Sequence, residues 1–293
     1  MKVNVEVECT PEEARAFLGL PNVEPLNDHL VAEMKRRMDE NITAMQPDEL
    51  MKTWTSFGVQ AQDQFRRLLG DGSRWGMAIS YIEQPRPDGL AQAYVLAEDF
   101  LEGAGSTMVL GDNIFFGHGL PDMLQAAGSR ARGGTVFGYQ VRDPERYGVV
   151  AFDRAGRVLS IEEKPERPKS NYAVTGIYVL DGAASSRAAA LRPSERGELE
   201  IADLLNLYLA DGLLTVERMG RGYAWLDTGT HASLLDAGNF VRTIEERQNL
   251  KVGCPEEIAF HQGWIDADAL RQLAAPYLKT EYGRYLLRVA DGG

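Results

Sequence analysis

Cysteine is nearly absent from this chain: Cys9 and Cys254 are the only two among 293 residues. Two thiols rule out a disulfide framework and a thiolate metal site, and each reads as an ordinary core or surface thiol. Histidine is equally sparse. His29, His118, His231 and His261 are scattered along the sequence, which argues against a histidine-held metal. Positive charge is in deficit, with 31 Lys and Arg against 43 Asp and Glu for a net charge of −12. Binding a nucleic-acid backbone requires clustered Lys and Arg, so no nucleic-acid partner is expected. An acidic protein can still take a nucleotide through local backbone N–H groups and a cation. Long apolar runs are missing too, and M-K-V-N-V-E-V-E-C-T carries no apolar leader core. A cytoplasmic protein with no membrane association is the expectation.

Within these bounds the chain changes character near residue 65. Before it, Val3, Val5 and Val7 alternate with Asn4, Glu6 and Glu8, as in a strand with one wet face. Thr10 and Pro11 then open a short helix. Leu30, Met34, Met38, Ile42 and Met45 follow at helical spacing, and Asp48 caps a third helix running to about Leu69. None of these residues carries a chemical motif. The methionine stripe reads as a packing face.

From L-L-G-D-G-S-R-W-G onward, short apolar runs alternate with helical stretches. Strands are expected at Ala78–Ile82, Thr107–Leu110, Thr135–Val141, Val149–Phe152, Val158–Ile161, Ala173–Leu180 and Leu214–Met219. Helices are expected in A-Q-A-Y-V-L-A-E-D-F, L-P-D-M-L-Q-A-A and L-E-I-A-D-L-L-N-L-Y-L-A. After Leu250 three more helical stretches follow. The pattern predicts a layered α/β/α domain around a mixed sheet, with C-terminal helices appended. Three segments result: residues 1–65, 66–250 and 251–293.

Two aspartates stand out. Asp112 follows T-M-V-L-G and Asp227 ends G-Y-A-W-L-D, so each sits at the end of what reads as a buried strand. In open α/β sheets ligands bind beyond the strands' carboxyl ends, and two carboxylates converging there suit Mg²⁺. Taken alone, each could equally cap its own turn.

Company decides between these readings. Q-P-R-P-D-G-L-A-Q-A, V-L-G-D-N-I-F-F-G-H-G, D-P-E-R-Y-G-V-V, E-E-K-P, P-K-S-N-Y-A-V-T-G-I-Y, R-G-E-L-E-I-A-D and G-R-G-Y-A-W-L-D-T-G-T-H occur in that order. Through them the chain from about Leu68 onward resembles the glucose-1-phosphate thymidylyltransferases, which make dTDP-glucose and pyrophosphate from dTTP and glucose 1-phosphate. The resemblance implies a nucleotide-diphospho-sugar transferase-like mixed sheet, Mg²⁺ as cofactor, dTTP and glucose 1-phosphate as partners, and a homo-oligomer, a tetramer in this family. Residue by residue, it implies that Gln84, Pro87 and Gly89 meet the nucleotide and that Asp112 and Asp227 hold Mg²⁺. Asn113, Tyr147, Gly148, Glu163, Lys164, Val174 and Arg196 would surround the sugar phosphate. Lys164 and the two aspartates would be catalytic. Gly176 and Trp225 fall beside them, while His118 and Arg221 match a second, regulatory nucleotide site. Residues 1–65 resemble a small uncharacterised bacterial family of short proteins, which suggests a fusion.

One part of the pattern is missing. Such transferases open with a buried strand, a G-G-x-G-T-R-L loop that wraps the triphosphate in backbone N–H groups, and a K-x-L-L-P-V segment. This chain contains none of them. T-P-E-E offers acid where glycine and arginine belong, and Glu6 and Glu8 could not be buried unpaired at the centre of a sheet. Reduced or absent turnover is therefore expected. The competing expectation is a non-catalytic remnant that binds sugar phosphate or joins an intact subunit.

Overall fold

The nine-residue run Y-A-V-T-G-I-Y-V-L is apolar almost throughout, the signature of a strand covered on both faces. In the computed structural model, which describes residues 65–292, it is the long central strand of a mixed sheet, buried from Ala173 to Leu180. The strands are β1 (Ser106–Val109), β2 (Asn113–Gly117), β3 (Gly134–Gln140), β4 (Gly148–Phe152), β5 (Val158–Glu163), β6 (Tyr172–Leu180), β7 (Leu214–Met219) and β8 (Tyr223–Asp227). The main sheet runs β5-β4-β6-β3-β7, with β1 also paired to β6, while β2 and β8 form a separate two-stranded ribbon. Among the described strands only β3 and β7 pair in parallel. Sheet, ribbon and the helices that follow belong to one compact unit, Leu69–Gly293.

The helices after residue 90 are α1 (Gln92–Leu96), α2 (Glu98–Leu101), α3 (Leu120–Gly128), α4 (Ala184–Ala189), α5 (Ile201–Ala210), α6 (His231–Gln248), α7 (Pro255–His261), α8 (Ala267–Ala274) and α9 (Glu281–Ala290). Alternation along the strands sorts the core into two layers. Val136, Tyr178 and Leu180 face Tyr94, Ala188, Leu204, Leu205 and Tyr208 from α1, α4 and α5. Phe137, Ile177 and Val179 face the opposite way, onto Ala127 and Leu124 of α3 and Phe115 of the ribbon. The C-terminal helices build a third cluster of their own around Cys254, Leu270, Tyr285 and Leu286.

The way β6 is flanked creates the site. β3 runs along one of its edges from Tyr172 to Leu180. The other edge is shared: β1 pairs with Ile177–Leu180, and β4 meets β6 only at Val149 opposite Ala173. Between the end of β1 and the start of β4, the edge of β6 at Thr175–Gly176 has no strand beside it among the described residues, and the Leu110 N–H donates to the Gly176 carbonyl at 2.9 Å. A slot therefore opens in the middle of the sheet.

Six of the seven expected strands form, and so do the expected helices among the described residues. Ala78–Ile82 does not: residues 77–84 carry no strand, and Met77 and Ile82 stay exposed. A short apolar run becomes a strand only where a neighbouring strand takes up its backbone hydrogen bonds. The strand at Val3–Val7 and the first two helices lie outside the described residues. The third expected helix is described only over its end, residues 65–69, which are helical. A second correction concerns the aspartates. Asp112 sits in a turn between β1 and β2, β1 alternates half-buried and exposed residues, and β8 is half-buried throughout, so neither leads out of a fully buried strand.

Candidate functional site

β5 is an edge strand, and its free backbone is held by α5. Asn206 accepts from the Ile161 N–H at 3.2 Å and donates to the Ile161 carbonyl at 2.8 Å, mimicking a ladder partner. Glu163 and Lys164 follow at the end of this strand, facing the slot. The Lys164 N–H reaches back to the Tyr147 carbonyl at 3.0 Å, which ties E-E-K-P to R-Y-G at the start of β4. Lys164 adopts φ +41°, a left-handed conformation rare for a side chain of this kind and rarer still before a proline. Such conformations persist only where surrounding structure fixes them, and they cluster at functional sites.

On the opposite wall, the ribbon sets the aspartates. Asn113 lies across from Asp227 in the β2–β8 register. The Thr228 N–H and hydroxyl both donate to the Asp112 carbonyl at 2.8 Å, and the Gly229 N–H donates to Asp227 Oδ1 at 2.9 Å. The two carboxylates face one small volume beside Gly229. A Cβ at that position would lie 3.1 Å from Asp227 Oδ1 and 3.9 Å from Asp112 Oδ2, so glycine keeps the space open. Immediately beyond, α6 begins with a capping box in which Thr230 and Ser233 exchange side-chain and backbone bonds at 3.1 Å.

Both walls enclose one cavity of about 190 Å³. It is lined by Asp112, Asn113, Tyr147, Gly148, Glu163, Lys164, Val174, Gly176, Trp225 and Asp227, ten of the residues singled out in the sequence. An apolar floor of Leu110, Ile161, Tyr178 and Leu205 completes it. The volume is below the ~300–1,000 Å³ typical of pockets that engulf a drug-sized ligand. Burial pushes the Glu163 carboxyl up, helped by Glu200 and Glu198, while Lys164 and Arg196 oppose the shift. The Tyr147 hydroxyl is also raised, chiefly by burial and further by Asp227 and Asp143, with Arg146 pulling the other way.

The remaining expected residues fall outside this lining. Gln84 donates to the Gly89 carbonyl at 3.2 Å and to Gln92 Oε1 at 2.6 Å, so its amide nitrogen is spent inside the Q-P-R-P-D-G turn. Pro87 is exposed on that turn. Gly89, at φ +105°, packs its backbone against Leu199, and the following residue, Leu90, does reach the cavity. Arg196 pairs with Glu198 at 2.8 Å and Glu200 at 3.6 Å, acting on Glu163 only through its field. His118 and Arg221 are exposed at the far end of the ribbon, where Gly117 opposes Tyr223. The two share that end, about 13 Å along the strands from the aspartates at ~3.4 Å per residue.

Sequence reasoning gave no role to Arg146, which lines the cavity, bonds Asp143 at 2.9 Å and lies 5.4 Å over the Tyr147 ring. Its place in D-P-E-R-Y-G was the available signal. With Lys164 it brings a second cation to a cavity that also holds three carboxylates.

An oxygen-only donor set with open space between two carboxylates fits a hard divalent cation that completes its shell with water or phosphate. No group of three or more His, Cys, Asp or Glu suited to a metal occurs among the described residues, where Asp112 and Asp227 are two carboxylates that border this open space.

Comparison with known proteins shows the family. Residues 30–244 match the family model for nucleotidyl transferase. A glucose-1-phosphate thymidylyltransferase of Xanthomonas campestris pv. campestris is 62% identical over 232 residues, covering 79% of this chain and 79% of the relative. Enzymes of the same name from Neisseria meningitidis and Mycobacterium tuberculosis are 53% and 51% identical, over 77% and 78% of this chain and 78% of each relative. Among solved structures, one provisionally assigned as a glucose-1-phosphate thymidylyltransferase from Bacillus anthracis, in complex with sucrose, is similar with TM-score 0.57 and 38% identity over 66% of this chain and 74% of that one. A UDP-glucose pyrophosphorylase bound to UDP-glucose shares the fold at TM-score 0.51 and 21% identity, over 57% and 66% of the two chains. No helix among the described residues is long and apolar enough to cross a membrane.

Proposed function

Because the chain belongs to the nucleotidyl transferase family, we propose that its slot is the acceptor half of a dTMP-transfer site, taking glucose 1-phosphate and yielding dTDP-glucose and pyrophosphate from dTTP. The observation that carries this reading is the meeting of Glu163 and Lys164, at the end of β5, with Asp112, just before β2, and Asp227, at the end of β8, in one cavity. Its size suits a sugar phosphate better than a whole nucleotide sugar.

Each residue then has a task that its chemistry supports. Glu163 accepts from the sugar hydroxyls, and Gly148 and Gly176 let the ring approach the backbone. Lys164 and Arg146 bring positive charge to the phosphate of the acceptor. An oxygen of that phosphate attacks the α-phosphorus of dTTP; the bond from the α-phosphorus to the bridging oxygen breaks, and pyrophosphate leaves with the electron pair. Asp112 and Asp227 would hold Mg²⁺, which when bound neutralises charge accumulating on the α-phosphate.

A second reading rests on a different observation. Among the described residues β1 pairs only with β6, residues 77–84 form no strand, and the sequence carries no glycine-rich triphosphate loop. These features suit a remnant that binds sugar phosphate without transferring dTMP, or that joins an intact subunit. Pyrophosphate release from purified chain with dTTP, glucose 1-phosphate and Mg²⁺ separates the two. Transfer predicts release above a protein-free blank that disappears in Asp112→Ala and Asp227→Ala; a signal equal to the blank at all protein concentrations leaves only the remnant.

A further inference from the structure

Trp225 donates its indole N–H to Asn113 Oδ1 at 2.5 Å, and Asn113 passes an amide N–H to Asp112 Oδ1 at 2.7 Å. From this chain of bonds we infer that Trp225 and Asn113 are positioning residues that fix which oxygen of Asp112 is presented to a divalent cation. The inference rests on the reading of Asp112 and Asp227 as cation ligands.

The ribbon makes the relay possible. In the antiparallel register Asn113 opposes Asp227 and Phe115 opposes Trp225, so all four lie on one face. Trp225 and Asn113 are diagonal neighbours there, a separation of ~7–8 Å that a long aromatic side chain spans. Two rings hold the indole edge-on, Tyr147 at 5.1 Å and Tyr139 at 5.9 Å between centroids. The amide has its own seat: a Cβ at Gly176 would lie 2.6 Å from Asn113 Oδ1 and 2.8 Å from its Cγ. Only glycine at 176 leaves room for it.

Direction follows from the donor inventory. An indole N–H can donate and never accept, so it must face the amide oxygen of Asn113. That choice turns the Asn113 NH₂ toward Asp112 and occupies Oδ1. Oδ2 is left as the oxygen on the side of the open space at Gly229, 3.9 Å from where a Cβ there would lie, with Asp227 Oδ1 3.1 Å from the same point. Without the indole N–H, the Asn113 amide loses the bond that anchors its oxygen, and its N–H is no longer held in place against Asp112 Oδ1. The Asn113 amide keeps one N–H for a ligand, so its expected contact with the sugar phosphate is compatible with the relay.

Titration of the full chain with Mn²⁺, followed by electron paramagnetic resonance of the free ion, tests this without relying on turnover. Trp225→Phe, which keeps the ring and removes the N–H, should weaken Mn²⁺ binding about 10–100-fold, the usual effect of removing a group that orients a ligand. Asn113→Ala should do the same. Trp225→His, which restores a ring N–H, should recover part of the loss, and melting temperatures identify any variant that has merely lost its fold. Wild-type affinity in a folded Trp225→Phe, with Asp112→Asn abolishing binding, would overturn the relay and leave the cation pair standing. Equal Mn²⁺ binding by wild type and Asp112→Asn would overturn both.

Discussion

Glu163 joins two demands that pull against each other. On the proposed reading it accepts hydrogen bonds from a sugar, which an ionised carboxylate does best, yet burial and the neighbouring Glu200 and Glu198 favour its protonated form, and Lys164 and Arg196 only partly compensate. A carboxyl whose folded-state pKa is raised holds its proton more tightly in the native chain than in the unfolded one. Its contribution to stability is therefore complete below the ordinary carboxylate range and is lost as pH rises through the higher folded value. Glu163→Gln should remove that loss. Its melting temperature should match wild type near pH 4 and equal or exceed it near pH 7, while calorimetry shows much weaker glucose 1-phosphate binding. A variant that melts below wild type at pH 7 by more than at pH 4 would contradict the assignment. The pair itself was legible in the sequence through E-E-K-P. The left-handed backbone at Lys164 was not, because a lysine gives no local signal for positive φ; only the closure of β5 onto Tyr147 imposes it.

At the scale of elements, the site depends on how loops are stitched to strands. The Q-P-R-P-D-G turn is joined to R-G-E-L by bonds from the Leu199 N–H to the Asp88 carbonyl at 2.7 Å and from the Ala91 N–H to the Leu199 carbonyl at 3.1 Å. Gly89 sits in that seam, where an added Cβ would collide with the Leu199 carbonyl and lie 2.6 Å from its nitrogen. Gly89→Ala combines this clash with an unfavourable φ, and about 2–4 kcal/mol of destabilisation is expected. Urea unfolding checks it; a midpoint within error of wild type would show that the seam is loose. Most strands were readable because their apolar residues alternate or run together. The β2 strand was missed because N-I-F-F-G is short and draws its stability from β8, more than a hundred residues away. The long helix α6 was missed for a related reason. Only Ala237 of its residues is buried, so its apolar pattern is faint, and Ser233 stands where a capping box ordinarily carries Glu or Gln.

For the whole molecule, the slot follows from one topological fact. Among the described residues β6 is covered along one edge, and the other edge is divided between β1 and β4, which leaves the cavity between them. Everything that lines that cavity comes from residues 90–227, the part of the chain whose motifs were legible in order. The motif that the sequence does not contain, G-G-x-G-T-R-L, would on the proposed reading serve the other substrate, supplying backbone N–H donors and an arginine to the triphosphate. Loss of a single preorganised donor of developing charge costs about 100–1,000-fold in rate, and a cradle contributes several. The two halves should therefore separate experimentally. Glucose 1-phosphate should bind with an affinity within about tenfold of the Xanthomonas campestris relative, because the residues that would hold it are assembled. Turnover assayed side by side at saturating dTTP should be lower by at least about 100–1,000-fold. Comparable rates would mean that charge on the transferred phosphoryl group is stabilised by some other part of this chain. Loss of glucose 1-phosphate binding together with turnover would instead show that the slot between β1 and β4 is not a working acceptor site in this chain.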